Sequence, residues 1–340
     1  MYRESWDALA RSANWPLAEF NWTVASAEHL ESDRDVLAVL VLQGKSLVGA
    51  ILLAGSTENH RRFMRPVGFG ALGESNVLLA KTSESEARLV EHLVSRRQPF
   101  VLPRVLSSNH LNLVLNRACR NHGFLIARKT SGSPTLDLRG GMEQINARFS
   151  ASRRYGMRRK LKNLNAMGEV KTWFVTPSED EVVEYLHTFE QLEDKGWKGN
   201  KGSSILKRRG FHDFFLTGLK SFARDGRIRF DAISLRDHVI AIQMGIVSNG
   251  SYFLLKPTYD ESLATLSPGH LLTYAAIKQS VNDGLTSYEL LGGEDEWKLR
   301  WASSIRDTTS WIYYPLSLDG ALTLSKDLLQ RIISKYRKKI

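Results

Sequence analysis

The sequence predicts a mixed α/β protein organised as two domains. Three observations carry this. Short β-branched runs alternate with amphipathic helical stripes along the whole chain. The 340 residues suit one large or two medium cores. A Ser131-Gly132-Ser133-Pro134 stretch separates two successive α/β patterns, which sets expected domains at residues 1–133 and 134–340.

Residues 4–30 read as a helix and an irregular apolar arm carrying Trp6, Trp15, Phe20 and Trp22. Val36, Leu37, Val39, Leu40 and Val41 form a run suited to a buried strand. Gln43-Gly44-Lys45 turns the chain into a partner strand over Leu47–Leu53. A short strand at Val77–Ala80 precedes a helix over Ser83–Arg97, with Ser83 and Glu86 as a capping box. Phe100–Val105 is extended, His110–His122 is helical with Gly123 as its stop, and Phe124–Ala127 returns as a strand.

The second half opens with a strand at Thr135–Leu138 and one long basic helix over Gly141–Met167, ended by Gly168. A strand over Glu169–Thr176 and a helix over Ser178–Asp194 follow, then a Gly-flanked loop around Trp197 and a helix over Phe211–Arg224. Three strands come next: Ile228–Leu235, Val239–Val247 and Tyr252–Lys256, with Asn249-Gly250 as a hairpin turn. A helix opening at Ser267, a strand over Ser287–Leu291, a strand near Thr309–Tyr314 and a helix from Leu322 close the chain. His110-Leu111 leading to Gly123 and His270-Leu271 leading to Gly284 form a faint internal echo, which fits chance or a tandem pair of related domains.

The net charge of +11 invites an anionic partner. Arg148, Arg153, Arg154, Arg158, Arg159, Lys160 and Lys162 lie together with no acid among them, and Lys326, Arg331, Lys335, Arg337, Lys338 and Lys339 form a second patch. Like charges one turn apart are mildly destabilising, so this density points to an anion or to a solvated face. Leu328, Leu329, Ile332 and Ile333 share one side of the terminal helix, fitting packing on the domain or a membrane-surface contact. No apolar run reaches the roughly 18 residues of a membrane span, and the N-terminus shows no secretory signal. Cys119 is the single cysteine and reads as a buried thiol, consistent with a cytoplasmic location.

The stretch Tyr252–Trp301 concentrates the chemistry. Ser267 is a suitable N-cap, Pro268 suits the first helical position, and Gly269 allows close approach of a ligand. With His270 and Leu271 this start can bind a phosphate on its first-turn amides. Asp260, Glu261, Glu289, Glu294, Asp295 and Glu296 supply candidate general bases, and Lys298 lies between Trp297 and Trp301. Trp197 is a cap over the core or a wall for a ligand. The nine histidines show no metal-ligand spacing, so no metal is expected.

These pieces in this order resemble the GNAT-superfamily acyltransferases of the BioF2-like and CelD-like group, relatives of the FemAB peptidyltransferases. The resemblance rests on Arg153-Arg154-Tyr155-Gly156-Met157-Arg158-Arg159-Lys160-Leu161, on Leu192-Glu193 before Trp197-Lys198-Gly199, and on Lys256 with Tyr259-Asp260-Glu261. It continues through Ser267-Pro268-Gly269-His270-Leu271-Leu272, Tyr288-Glu289, Gly293-Glu294 and Trp297-Lys298, covering roughly residues 135–315. Glu289 replaces the group's usual Asp and Trp297 its usual Tyr.

The resemblance implies tandem GNAT-like α/β domains and an acyl-CoA donor bound beside the Ser267 helix. It implies Lys298, Glu289, Asp260 and Tyr259 as catalytic candidates, with Tyr259 or Tyr288 protonating the leaving thiolate. Trp197, Lys198, Lys256, Glu294, Trp297, Arg154 and Arg158 are the substrate-binding candidates. The implied acceptor is a cell-envelope or exopolysaccharide precursor. Two alternatives stay open: FemAB-like transfer from aminoacyl-tRNA, and a degenerate transferase binding an anionic partner.

Overall fold

The structure, a computed structural model, describes residues 2–58 and 61–337, with side chains described outside 57–62 and up to 329. In chain order the strands are β1 (Val36–Gln43), β2 (Ser46–Glu58), β3 (Arg61–Pro66), β4 (Leu79–Ala80), β5 (Phe100–Leu106) and β6 (Gly123–Asp137). They continue as β7 (Val170–Val175), β8 (Ile228–Leu235), β9 (His238–Ser248), β10 (Ser251–Tyr259), β11 (Ser287–Glu289) and β12 (Ser304–Pro315). The chain divides into two compact units, residues 1–133 with 306–340, and residues 134–305.

In the first unit the strands run β1-β2-β3-β5-β12-β6, with β4 paired to β2. Val39, Ile51, Leu53, Phe100 and Leu102 point into a core closed by helices Ser83–Ser95 and Asn109–Cys119. Cys119 is buried there, and burial pushes its thiol up to about 12. The expected second domain ran to residue 340, but the chain from Arg306 onward belongs to the first unit. The cause is β12, which pairs antiparallel with β5 from Thr308↔Leu106 to Tyr313↔Phe100 and buries Trp311 and Tyr313.

Local expectations shift in four places. The Ser131–Pro134 punctuation lies inside β6, where Ser133 is buried and the Ser131 carbonyl accepts from the Thr308 hydroxyl at 2.9 Å. The first capping box is Thr82 with Ser85, one residue ahead of the expected pair. The long basic helix is two helices, Gly141–Ala147 and Ala151–Met167, because Ser150 caps a new start on the Arg153 amide. Leu318, Leu322, Leu328 and Leu329 of the terminal helix are exposed, while Thr323 and Asp327 face inward. Ile332, Ile333, Arg331, Lys335, Arg337, Lys338 and Lys339 lie outside the residues whose side chains are described.

The second unit orders its strands from the end of β6 as β11-β10-β9-β8-β7. Asn249 (φ 45°) and Gly250 (φ 71°) take the left-handed turn that an Asn-Gly hairpin demands between β9 and β10. Beneath the sheet, the Arg229 guanidinium donates to Asp231 at 2.7 Å and to Asp283 at 2.9 Å. Gln243 donates to Asp231 and to the Tyr288 hydroxyl at 2.9 and 2.8 Å, and Tyr252 donates to Asp231 at 3.0 Å. Tyr252 and Tyr288 stack at 4.7 Å. This buried network locks β8, β9, β10 and β11 onto the helix Pro268–Asn282, which fixes where that helix begins.

Candidate active site

β10 and β11 run parallel for only three residue pairs, ending at Phe253↔Glu289. β10 continues to Tyr259, and its antiparallel ladder with β9 slips between Leu254 and Lys256. Such a bulge bends a strand and increases its twist. The two strands therefore part at Glu289, and among the described residues β10 has no strand partner on that side beyond Phe253. Glu289 is buried; the hydroxyls of Thr135 and Ser287 donate to its Oε1 at 3.1 and 3.2 Å.

The chain leaves β10 through a short helical segment, Glu261–Leu266, and enters the helix Pro268–Asn282 at Ser267. Ser267 does not cap this helix with its side chain, contrary to its expected role. Its backbone is left-handed (φ 51°, ψ 52°), and its hydroxyl accepts instead from the Lys160 ammonium at 2.6 Å. The basic helix Ala151–Met167 is thus tied to the start of the other helix. A Cβ added at Gly269 would lie 3.1 Å from the Tyr259 ring, so that ring stands against the first turn.

Positive charge gathers around this start. The Arg153 guanidinium lies 3.8 Å over Phe149 and 4.5 Å over Trp301, and donates to the Arg300 carbonyl at 2.6 Å. The His270 ring is 6.1 Å from that of Trp301. Burial first, and then Arg300, Arg153 and Lys160, hold the His270 imidazole below its ordinary value. Burial and the neighbouring Arg300 and Arg148 likewise lower Arg153. Trp301 is itself buried, and its indole N–H reaches no hydrogen-bond partner among the described residues.

A second cluster forms around Glu193, which sequence reasoning did not select. Its side chain is fully buried, and its Oε1 receives Lys198 at 2.8 Å and Lys256 at 3.1 Å. The Ile205 amide donates to its Oε2 at 2.8 Å. Burial alone would raise Glu193, but Lys256 and Lys198 outweigh it and hold the carboxylate low. Lys256 is also lowered, because its burial outweighs the attraction of Glu193 and Lys198 adds repulsion. Lys198 and Lys256, expected to bind substrate, thus have their ammonium groups engaged inside the unit.

The other expected residues fall as follows. Trp197 is half exposed, with its amide held by Glu261 at 2.8 Å. Asp260 caps the short helix, its Oδ1 accepting from the Ser262 amide at 2.9 Å. Arg154 donates to the Asn146 and Phe149 carbonyls and so closes the preceding helix. Arg158 and Glu294 are exposed. Leu271 is buried beside Leu272. Trp297 packs on the core, and Lys298, largely buried, pairs with Asp295 at 2.8 Å. Tyr288 is buried, its hydroxyl accepts from Gln243 at 2.8 Å, and burial raises its pKa. Among the described residues no three His, Cys, Asp or Glu side chains gather to hold a metal, and no helix is long and apolar enough to cross a membrane.

The family model for acetyltransferase (GNAT) domains matches residues 151–299. No curated protein sequence matches the chain. Among solved structures, FemX is similar at 12% identity and a TM-score of 0.62, over 93% of this chain and 96% of that one. L-PGS from Bacillus licheniformis is similar at 11% identity and a TM-score of 0.56, over 98% and 96%. The C-terminal domain of a proposed lysylphosphatidylglycerol synthetase from Agrobacterium fabrum shows 11% identity and a TM-score of 0.56, over 96% and 95%. These likenesses concern the fold. Residues 151–299 thus match an acetyltransferase (GNAT) domain, and the fold of the chain as a whole is similar to that of FemX.

Proposed function

We propose that the enzyme moves an acyl group from acyl-CoA to an amine or hydroxyl of a cell-envelope or exopolysaccharide precursor, on the cytoplasmic side. The observation that carries this is the start of the helix Pro268–Asn282. It is ringed by Lys160, Arg153, Arg300 and His270, next to the length of β10 that, among the described residues, has no strand partner on its β11 side. First-turn amides and the helix dipole favour a diphosphate there. The amides of the donor's arm pair with the edge of β10, which brings the thioester to the point where β10 and β11 part.

At that point the acceptor's nitrogen or oxygen attacks the thioester carbonyl. A new C–N or C–O bond forms, the C–S bond breaks, and the thiolate takes its proton from solvent. Glu289 accepts the acceptor's proton. Lys298 and β10 amides stabilise the developing oxyanion, worth about 3 kcal/mol per donor. Tyr259 lines the phosphate end rather than the thioester end. Arg158, Arg159 and Lys162 are exposed on the basic helix and suit a nucleotide-sugar acceptor. Exposed Leu322, Leu328 and Leu329 support a peripheral membrane contact.

The same exposed arginines favour one other reading, transfer from aminoacyl-tRNA. A thermal-shift screen separates the two. Acetyl-CoA at about a hundredfold excess over its Kd should stabilise the protein by about 2.7 kcal/mol. No shift with any CoA thioester, together with salt-sensitive binding of aminoacyl-tRNA, would replace the acyl-CoA reading.

A further inference from the structure

β1 ends the strand order and, among the described residues, pairs with β2 alone, so its other edge carries unpaired backbone N–H and C=O groups. Its two faces differ in cover but not in polarity. Leu37, Val39 and Val41 enter the core of the unit. Val36, Ala38, Leu40 and Leu42 alternate with them and stay exposed, at 43%, 37% and 43% for Val36, Leu40 and Leu42. An antiparallel strand with one solvated face normally turns polar residues outward. On β2 the same face is covered. Leu47, Ala50 and Leu52 stand opposite Leu42, Leu40 and Ala38, and they pack with Trp6 and Leu9 of the helix Arg3–Ser12. That cover stops short of β1.

This edge lacks the devices that keep strands of different molecules apart. From Val36 to Gln43 there is no charged residue and no proline. The ladder slips between Val41 and Leu42, but the extra residue, Val48, is in β2, so β1 itself stays regular. Charge lies at the two ends of the strand instead, with opposite sign. Asp33 and Asp35 are exposed before its start, where Arg34 is paired with buried Glu31 at 2.7 Å. Lys45 is exposed in the turn after its end.

We infer that β1 is a self-association edge whose partner is β1 of a second copy of this chain. Two copies related by a two-fold axis pair their strands antiparallel and present the same surface to each other. With Leu40 opposite its own counterpart, Ala38 meets Leu42 and Asp35 meets Lys45 of the partner subunit. The apolar strip then covers itself, and each end of the strand meets its opposite charge. A parallel pairing would set like-charged ends together. The edge belongs to the first unit, so this inference does not depend on the acyl-transfer reading of the second.

The test is sedimentation velocity of the full chain over the micromolar range at low salt. The expected result is a reversible equilibrium between monomer and dimer. Leu40→Lys sets two ammonium groups against each other at the axis and should weaken the dimer at least about tenfold. Asp35→Lys creates two like-charged pairs and should weaken it about tenfold, and adding Lys45→Asp to that variant should restore the wild-type affinity. A chain that stays monomeric overturns the inference and leaves the edge to a strand of another protein. So does a dimer that Asp35→Lys leaves unchanged, or one that Lys45→Asp fails to restore. Both of these positions are exposed, so they decide the matter even where Leu40→Lys fails to fold.

Discussion

Replacing Glu193 with Gln keeps the shape of the side chain and removes its charge. Two ammonium groups, Lys198 and Lys256, are then left without their shared carboxylate, with side chains only 23% and 19% exposed. Removing one partner of a buried pair typically costs about 3–5 kcal/mol. Partial exposure of both lysines, and the ease with which the already lowered Lys256 can shed its proton, place this case near the lower figure, about 3 kcal/mol. Urea unfolding followed by fluorescence and circular dichroism reads this directly. With a slope of about 3 kcal/mol per molar for a chain of this size, the midpoint should fall by about 1 M. The sign with pH is also fixed. Lys256 is depressed in the folded state, so the unfolded chain binds more protons as the solution becomes basic, and the variant should regain stability as pH rises towards 10.5. A midpoint within about 0.3 M of wild type near neutral pH, or a loss that does not shrink with pH, would refute this account of the cluster.

Gly269→Trp should weaken acetyl-CoA binding by at least about tenfold, because the new side chain projects from the first turn where Tyr259 already lies 3.1 Å from a Cβ; calorimetric titration checks this, and unchanged affinity removes the phosphate role of the turn. Lys298→Ala should lower kcat by about a hundredfold while the melting temperature moves little, since its partner Asp295 is exposed; steady-state kinetics beside a melting curve separates the two effects. His270 is depressed in the folded state, so the unfolded chain binds more protons just below pH 6.5 and stability should fall as pH drops through that region; His270→Gln should remove this slope in urea midpoints measured across it.

Much of the fold was legible because it is written locally. The strands β9 and β10 carry apolar runs, Val239–Ile242 and Tyr252–Leu255, on either side of a turn whose Asn249 and Gly250 need left-handed backbone. Where the pattern is not local, reading fails for a physical reason. β3 carries Arg61, Arg62 and Arg65 around Phe63, so no apolar alternation announces a strand. Yet Phe63 and Arg65 are both buried in the folded unit. β12 joins β5 across 206 residues, as in the Arg104 amide that donates to the Ser310 hydroxyl, and strand register over that separation leaves no mark on the residues themselves. Ser131–Pro134 has the composition of a linker, but its neighbours supply the pairing that holds it extended.

The site was legible in part for the same reason. A Pro-Gly helix start after a strand is a local signal for a candidate anion site, and in the folded unit the Lys160 ammonium reaches that start through the Ser267 hydroxyl. The basic helix carried a second signal, like charges too dense to be comfortable, but sequence could not divide it. The structure separates the charges into two populations. Arg153, Arg154 and Lys160 turn inward: one over Phe149 and Trp301, one onto the carbonyls that end the preceding helix, one onto Ser267. Arg158, Arg159 and Lys162 stay on the outer face. The inward set fixes geometry, since each makes short contacts with groups that position the helix start. The outer set acts through solvent, where salt screens it within about 10 Å. The excess of charge that first suggested an anionic partner is therefore half architecture, and only the outer half speaks for a polyanion.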